Sequence, residues 1–358
     1  MDESTCLRQW KKLMHESIRK VINQAAAGQD ATVEEAHSAI AAIMDGQCSE
    51  VDIAALLTAW YFKGEAVSEI VGAATAMRER STKIPTDRTG LIELCGTTGD
   101  RVHTINIRTA AALLTAAMGV PVAKHGNRSV SSSSGSADVL RELGVQIELS
   151  PKQVARCIDE VGIGFCFAPL LHSAMKHAAP VRRQLEFRTI FNLLGPLTNP
   201  AEAGFQVIGT GSDVLARKLA SALQQLGTKH ALVVCGDNRL DEVSLWGQTL
   251  VIDVRAGGLT ESVWTAASFG LDECDVDDIR ASSADDSAAR LMDVFRGEAG
   301  PCRDIVVANA AAALIASERF TDPKEAARSV QSALDSGYVT ETLEKLSRLS
   351  ATLAKTVG

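Results

Sequence analysis

The chain has 358 residues, enough to bury a large core and to divide into two domains. Its 36 basic and 44 acidic residues leave a net charge of −8, which argues against a broad nucleic-acid surface and makes any phosphate binding rest on local cations. Eight cysteines stand without CxxC or Cys/His spacing, which argues against a disulfide framework and a structural zinc. The opening residues MDESTCLRQWKKLMHES lack the apolar run of a signal peptide, and no uninterrupted apolar segment reaches the roughly 18 residues of a membrane span. A cytoplasmic protein without membrane attachment is expected.

Residues 1–85 read as a helical domain. Thr32 and Glu35 have the spacing of a capping box that opens a helix over Ala36, Ile40 and Ile43, and Asp45-Gly46 marks its end. Helical periodicity follows over Val51 to Phe62 and Val67 to Glu79, separated by Lys63-Gly64-Glu65. Trp60, Tyr61 and Phe62 read as core or subunit-contact residues rather than as ligand platforms.

Residues 86–358 read as an α/β domain. Short apolar strands are expected at Leu91 to Leu94, Pro121 to Ala123, Phe205 to Gly209, Ala231 to Val234, Leu250 to Val254 and Ile305 to Val307. Helices are expected at Thr109 to Met118, Ala137 to Leu143, Pro151 to Glu160, Val214 to Leu226, Lys324 to Leu334 and Glu341 to Leu349, and residues 170–190 are helical in pattern. The alternation predicts a largely parallel central sheet flanked by helices, with strand ends and their glycine turns along one edge. Gly257-Gly258 signals a turn or hairpin.

Three segments carry candidate chemistry. Cys95-Gly96-Thr97-Thr98-Gly99-Asp100 is a glycine turn between a strand and a helix, a place where main-chain N–H groups favour a diphosphate, although it matches neither GxGxxG nor GxxxxGK[ST]. Lys124 to Leu140, KHGNRSVSSSSGSADVL, joins a point charge at Lys124, a planar fork at Arg128 and the hydroxyls of Ser131 to Ser134 in one segment suited to a phosphorylated ligand. Arg182 can clamp a carboxylate with two parallel hydrogen bonds. By itself, Asp241-Glu242 is an acidic loop pair of the ordinary solvated kind.

Read together, GTTGD, KHGNRSVSSSSGSADVL, HSAMKHAAPVR and RTIFNLLGPLTNPA resemble the anthranilate phosphoribosyltransferase family, with further similarity at Thr32 to Ala36, Lys63-Gly64-Glu65, Ala76-Met77-Arg78 and Asn309-Ala310-Ala311. The resemblance implies transfer of the phosphoribosyl group of phosphoribosyl pyrophosphate (PRPP) to the amine of anthranilate, with Mg2+ and a homodimer formed through the helical domain. It also implies that the 170–190 helices pack back on that domain, giving a shared cleft. It places Gly96, Thr97, Gly99, Asp100, Thr104, Asn106, Arg108, Thr109, Lys124, His125, Gly126, Asn127, Ser132, Ser136, His172 and Arg182 among the substrate-binding residues. Lys124, Asn127 and Arg182 are then the catalytic candidates, and Asp241 and Glu242 the magnesium ligands. The chain departs from the family pattern at Thr98, where glycine is usual, at Arg108, where serine is usual, at Ser173 in place of proline and at Glu186 in place of glycine. Arg108 implies altered metal dependence. Two other readings stand beside this one: a related phosphoribosyltransferase or nucleoside phosphorylase with another aromatic acceptor, and a non-catalytic relative binding phosphoribosyl compounds or nucleic acid, the latter disfavoured by the acidic balance.

Overall fold

The computed structural model describes residues 14–97, 102–128 and 135–356. They fall into two compact units, one made of the N-terminal residues up to Ser81 with Ser173–Leu194, the other of Thr82–His172 and the residues from Gly195 onward. Among the described residues, no helix is long and apolar enough to cross a membrane, and the seven cysteines are free thiols.

The first unit is helical: Glu16–Ala26, Val33–Met44, Glu50–Lys63 and Val67–Glu79, joined by Ala179–Leu185 and the single turn Phe191–Leu194. The Thr32–Glu35 capping box forms as read, the Thr32 hydroxyl accepting from Glu35 N at 3.3 Å and Glu35 Oε2 accepting from Thr32 N at 2.9 Å. A second box, Ser49 with Asp52, opens the next helix. Gly72 lets two helices cross backbone against backbone, since a Cβ there would run into the Val33 carbonyl. Lys63 ends its helix by pairing with Asp30 at 2.7 Å and the buried Glu69 at 3.0 Å. Trp60 is fully buried, whereas Phe62 is 80% exposed.

The second unit is built on one seven-stranded sheet. Its strands are β1 Ile92–Gly96, β2 Val122–Gly126, β3 Ile163–Phe167, β4 Phe205–Gly209, β5 His230–Gly236, β6 Thr249–Arg255 and β7 Gly258–Trp264. They lie in the order β3-β2-β1-β4-β5-β6-β7; the first five are parallel, and β6 and β7 add antiparallel as a hairpin turning at Ala256-Gly257. Helices Ile107–Ala117 and Pro301–Ala316 pack on each other and on β1. Both are rich in alanine, whose small side chain lets helix and sheet approach closely.

One expectation is corrected here. Ile305 to Val307, read as a strand from three successive β-branched residues, lies inside the helix Pro301–Ala316. Pro301 opens that helix at its first turn, and every residue from Ile305 to Ala316 is buried, so packing overrides local β-propensity. The 170–190 stretch is helical in pattern as expected, in short pieces: Ala168–Leu171, a 3-10 turn Ser173–His177 and Ala179–Leu185, after which the helix stops. It stops at Glu186, held at φ 54°, a left-handed conformation that costs a non-glycine residue roughly 1–2 kcal/mol.

Candidate active site

The strand order reverses direction between β1 and β4, and in such sheets the crevice outside the carboxyl ends of those two strands is where ligands bind. Both strands end in glycine, Gly96 and Gly209, and they pair with each other in register. Thr97 N continues the ladder by donating to Gly209 O at 3.0 Å. Neither glycine has room for a side chain. A Cβ on Gly209 would coincide with the Asp241 backbone carbonyl, and one on Gly96 would strike the Arg108 guanidinium and lie 2.5 Å from Asp241 Oδ2.

The crevice holds a compact charge cluster. Arg108 Nη1 donates to Asp241 O at 2.6 Å and stands 3.0 Å from Asp241 Oδ1 and 3.4 Å from Glu242 Oε1. Both acids are buried, so the pair is no solvated loop feature. The loop carrying them is fixed by Asn309, whose side chain accepts from Val243 N at 2.9 Å and donates to Val243 O at 3.0 Å. Arg108 lies in the first turn of the helix Ile107–Ala117, where the helix dipole disfavours a cation. Burial pulls the Arg108 pKa down, and the adjacent Asp241 and Glu242 more than reverse that, leaving it above its ordinary value.

That helix is capped by Asn106, whose Oδ1 accepts from Thr109 N at 3.2 Å and from the Thr109 hydroxyl at 2.5 Å. Asn106 N donates to Ser287 Oγ at 2.9 Å, and Thr104 forms a backbone bridge with Arg280. Asn106 and Thr109 thus hold the helix end that presents Arg108.

The neighbouring strand β2 supplies the second group. Its alternation puts His125 on the sheet face shared with Glu93 and Gln206, and Lys124 on the other. Lys124 is buried and donates to Leu94 O at 2.9 Å, with its pKa lowered by burial. Glu93 is buried, lies 3.8 Å from His125 Nδ1 and accepts from Gln206 Nε2 at 3.3 Å; burial raises its pKa. At Gly126 an added Cβ would strike the Ser136 hydroxyl and lie 2.8 Å from the Phe165 ring, which favours glycine there. Asn127 is exposed and its carbonyl accepts from Ala137 N at 3.3 Å. Arg128 pairs with Glu148 at 2.7 Å on the surface.

His125 and His172 lie with ring centroids 5.0 Å apart and their planes tilted by 54°, and the Nε2 atom of each is buried with no hydrogen-bond partner among the described residues. Burial lowers their pKa values to about 3 and about 4. For His172 the unfolded chain takes up a proton below its ordinary value of 6.5, while the folded protein does not until about pH 4. Stability from this group is therefore present above pH 6.5 and lost as the pH falls toward 4. His172→Asn is expected to shrink the loss of unfolding free energy between pH 7 and pH 5 by about 2 kcal/mol. Urea titrations at the two pH values measure it, and an unchanged difference would refute the assignment.

Arg182 lies in the helical unit, on Ala179–Leu185. Its guanidinium stacks over Phe191 at 5.4 Å and its Nη2 reaches Asn192 Oδ1 at 3.4 Å. No carboxylate among the described residues forms an ion pair with it, and burial lowers its pKa. A half-buried guanidinium without an acid is costly unless a ligand supplies one.

Thr98, Gly99, Asp100 and Ser132 lie outside the described residues. Within the second unit, Gly96, Thr97, Arg108, Asp241 and Glu242 come together, as do His125 and His172. Glu93, Gly209 and the positioning residue Asn309 were not singled out as site residues by sequence reading. Glu93 was visible as an acid inside an apolar strand, and Gly209 as a strand-terminal glycine like Gly96.

Residues 88–340 match the model of the glycosyl transferase family a/b domain, and residues 19–81 that of the glycosyl transferase family helical bundle domain. Over 331 residues the chain is 46% identical to an anthranilate phosphoribosyltransferase of Herpetosiphon aurantiacus, covering 92% of this chain and 98% of that one. The crystal structure of anthranilate phosphoribosyltransferase from Thermus thermophilus superposes with a TM-score of 0.88 at 38% identity, over 92% of this chain and 99% of that chain. The Saccharomyces cerevisiae enzyme in complex with PRPP and Mg has a TM-score of 0.86 at 24% identity over 95% and 99%, a likeness that speaks to the fold alone.

Proposed function

The chain belongs to the anthranilate phosphoribosyltransferase family, and from that premise we propose that it transfers the phosphoribosyl group of PRPP to the amine of anthranilate, releasing diphosphate. The bond from ribose C1 to the diphosphate oxygen breaks with its electron pair leaving on diphosphate. The anthranilate nitrogen then forms the new bond to C1 and sheds a proton. Positive charge develops on the ribose and negative charge on the leaving group, so positioning and fixed electrostatics carry the catalysis.

The observation that carries this reading is the crevice at the β1/β4 reversal, where Gly96, Thr97, Arg108, Asp241 and Glu242 meet. In it Gly96 and Thr97, followed by Gly99 and Asp100, hold the diphosphate. Thr104, Asn106 and Thr109 also bind substrate, Asn106 and Thr109 as hydrogen-bond donors to phosphate, and Lys124, Gly126, Ser132 and Ser136 serve the phosphate groups. Arg182 takes the anthranilate carboxylate, a role its lack of an acidic partner supports. Asn127, His125 and His172 surround the ring and amine, and the buried Nε2 atoms favour this.

Asp241 and Glu242 are oxygen donors of the kind magnesium takes when it is shared with substrate phosphates, and among the described residues no third His, Cys, Asp or Glu joins them. They are assigned to magnesium, which when bound neutralises the leaving diphosphate. Arg108 now stands against both carboxylates, so Asp241 and Glu242 would hold the ion in exchange for that contact.

The functional unit in this reading is a homodimer joined through the helical unit. Support comes from the helix Glu50–Lys63, which exposes Val51 and Phe62 three turns apart. Light scattering is expected to give twice the 37.9 kDa chain mass, and a stable monomer at working concentration would refute it.

The decisive experiment mixes the protein with PRPP, magnesium and anthranilate, and follows loss of anthranilate fluorescence together with diphosphate release. Turnover in both supports the reading. Absence of turnover with PRPP still bound would overturn the choice of acceptor.

A further inference from the structure

We propose that Arg108 is a resident counter-cation of the Asp241–Glu242 pair, competing with divalent metal for the two carboxylates and lending the diphosphate end of the crevice a positive charge that does not depend on metal. The inference rests on the reading of the crevice as a PRPP site.

Three observations carry it. First, the contact is specific: the same Nη1 serves the Asp241 carbonyl at 2.6 Å and lies 3.0 and 3.4 Å from the two carboxylates. An ion shared between adjacent acids would occupy that position. Second, the guanidinium is held where a cation would otherwise be disfavoured, in the first turn of a helix and largely out of solvent. Its local position offers no stabilisation of its own, so the acid pair is the reason it is tolerated. Third, the space is shaped around it. The absent side chains of Gly96 and Gly209 leave the volume that the guanidinium and the Asp241 carbonyl fill.

The consequence is a competition of charges. Two buried carboxylates with no counter-ion would bind a divalent cation tightly; with Arg108 on them, the metal must displace an ion pair. Arg108 also stands against Gly96, at the mouth of the proposed diphosphate turn, where a guanidinium can donate to phosphate oxygens directly. A metal-stripped protein should then keep much of its affinity for PRPP.

The test uses Mn2+ as the metal probe, followed by the loss of its free electron-spin-resonance signal, and PRPP binding by calorimetry with and without EDTA. Arg108→Gln is expected to bind Mn2+ at least about tenfold more tightly than the wild type, while Arg108→Lys, which keeps the charge, stays near wild type. EDTA is expected to weaken PRPP binding to the wild type by less than about tenfold and to Arg108→Gln by about a hundredfold or more. Equal Mn2+ affinity in wild type and Arg108→Gln, or equal sensitivity of both to EDTA, would overturn the proposal. Should Arg108→Gln fail to fold, the wild type decides alone: tight Mn2+ binding without PRPP, or PRPP binding abolished by EDTA, sinks it. Neither readout involves anthranilate. Failure of the transferase assay with these results intact would count against the acceptor and not against Arg108.

Discussion

Gly209→Ala is expected to reduce kcat/KM by about a hundredfold or more and to lower stability by about 2–4 kcal/mol. The added methyl would fall on the Asp241 backbone carbonyl, and backbone cannot rotate away as a side-chain tip can. Either β4 shifts and loses its register with β1, or the 241–242 loop moves and strains its two hydrogen bonds to Asn309. The first route parts β4 from the Gly96 end of β1 and the second displaces both acids and the Arg108 contact, so on either one structure and chemistry fail together. Thermal melting and the anthranilate fluorescence assay check this, the melting temperature falling by roughly 5–10 °C for a unit of this size. An alanine variant that melts and turns over like the wild type would mean the strand–loop contact is slack.

Arg182→Ala is expected to lower kcat/KM for anthranilate by about 10²–10³, with PRPP affinity unchanged. The guanidinium is already placed over the Phe191 ring, its burial is uncompensated by charge, and among the described residues it lacks an acid. A ligand carboxylate would complete it through two parallel bonds. Arg182→Lys should recover only part of the loss, because an ammonium cannot present the same fork. Aniline, which has the amine without the carboxylate, makes the test specific: the wild type should discriminate strongly against it, and the alanine variant should not. Undiminished discrimination by Arg182→Ala would falsify the clamp.

The outline of the fold was legible because its signals are local. The Thr32 capping box, the helix Val67–Glu79 and the strand Phe205–Gly209 form with the bounds expected from their residues. Failures came where tertiary context outweighs local pattern. β3, with the sequence IGFCF, lacks the β-branched density of an obvious strand, and β7, GLTESVW, is polar because it is solvent-exposed. Ile305 to Val307 carries a strand's residues inside a buried helix. The site divides in the same way. The glycine turn and the KHGN segment are contiguous and could be read, whereas the Arg108–Asp241 contact joins residues 133 positions apart. Arg108 was legible only as a departure from family pattern, and its partners only from three dimensions. Glu186, noted as standing where glycine is usual, proves to be a left-handed helix end.

The two margins of the sheet differ in kind. β3 is buried along its whole length, while β7 is exposed at Leu259 through Val263. An open margin invites strand addition, and this one is guarded by Glu261, which holds Arg217 through paired contacts of 2.8 and 2.9 Å. A charge on the open margin makes edge-to-edge pairing of two copies costly, so tags or fusions that leave that hairpin charged keep this protection.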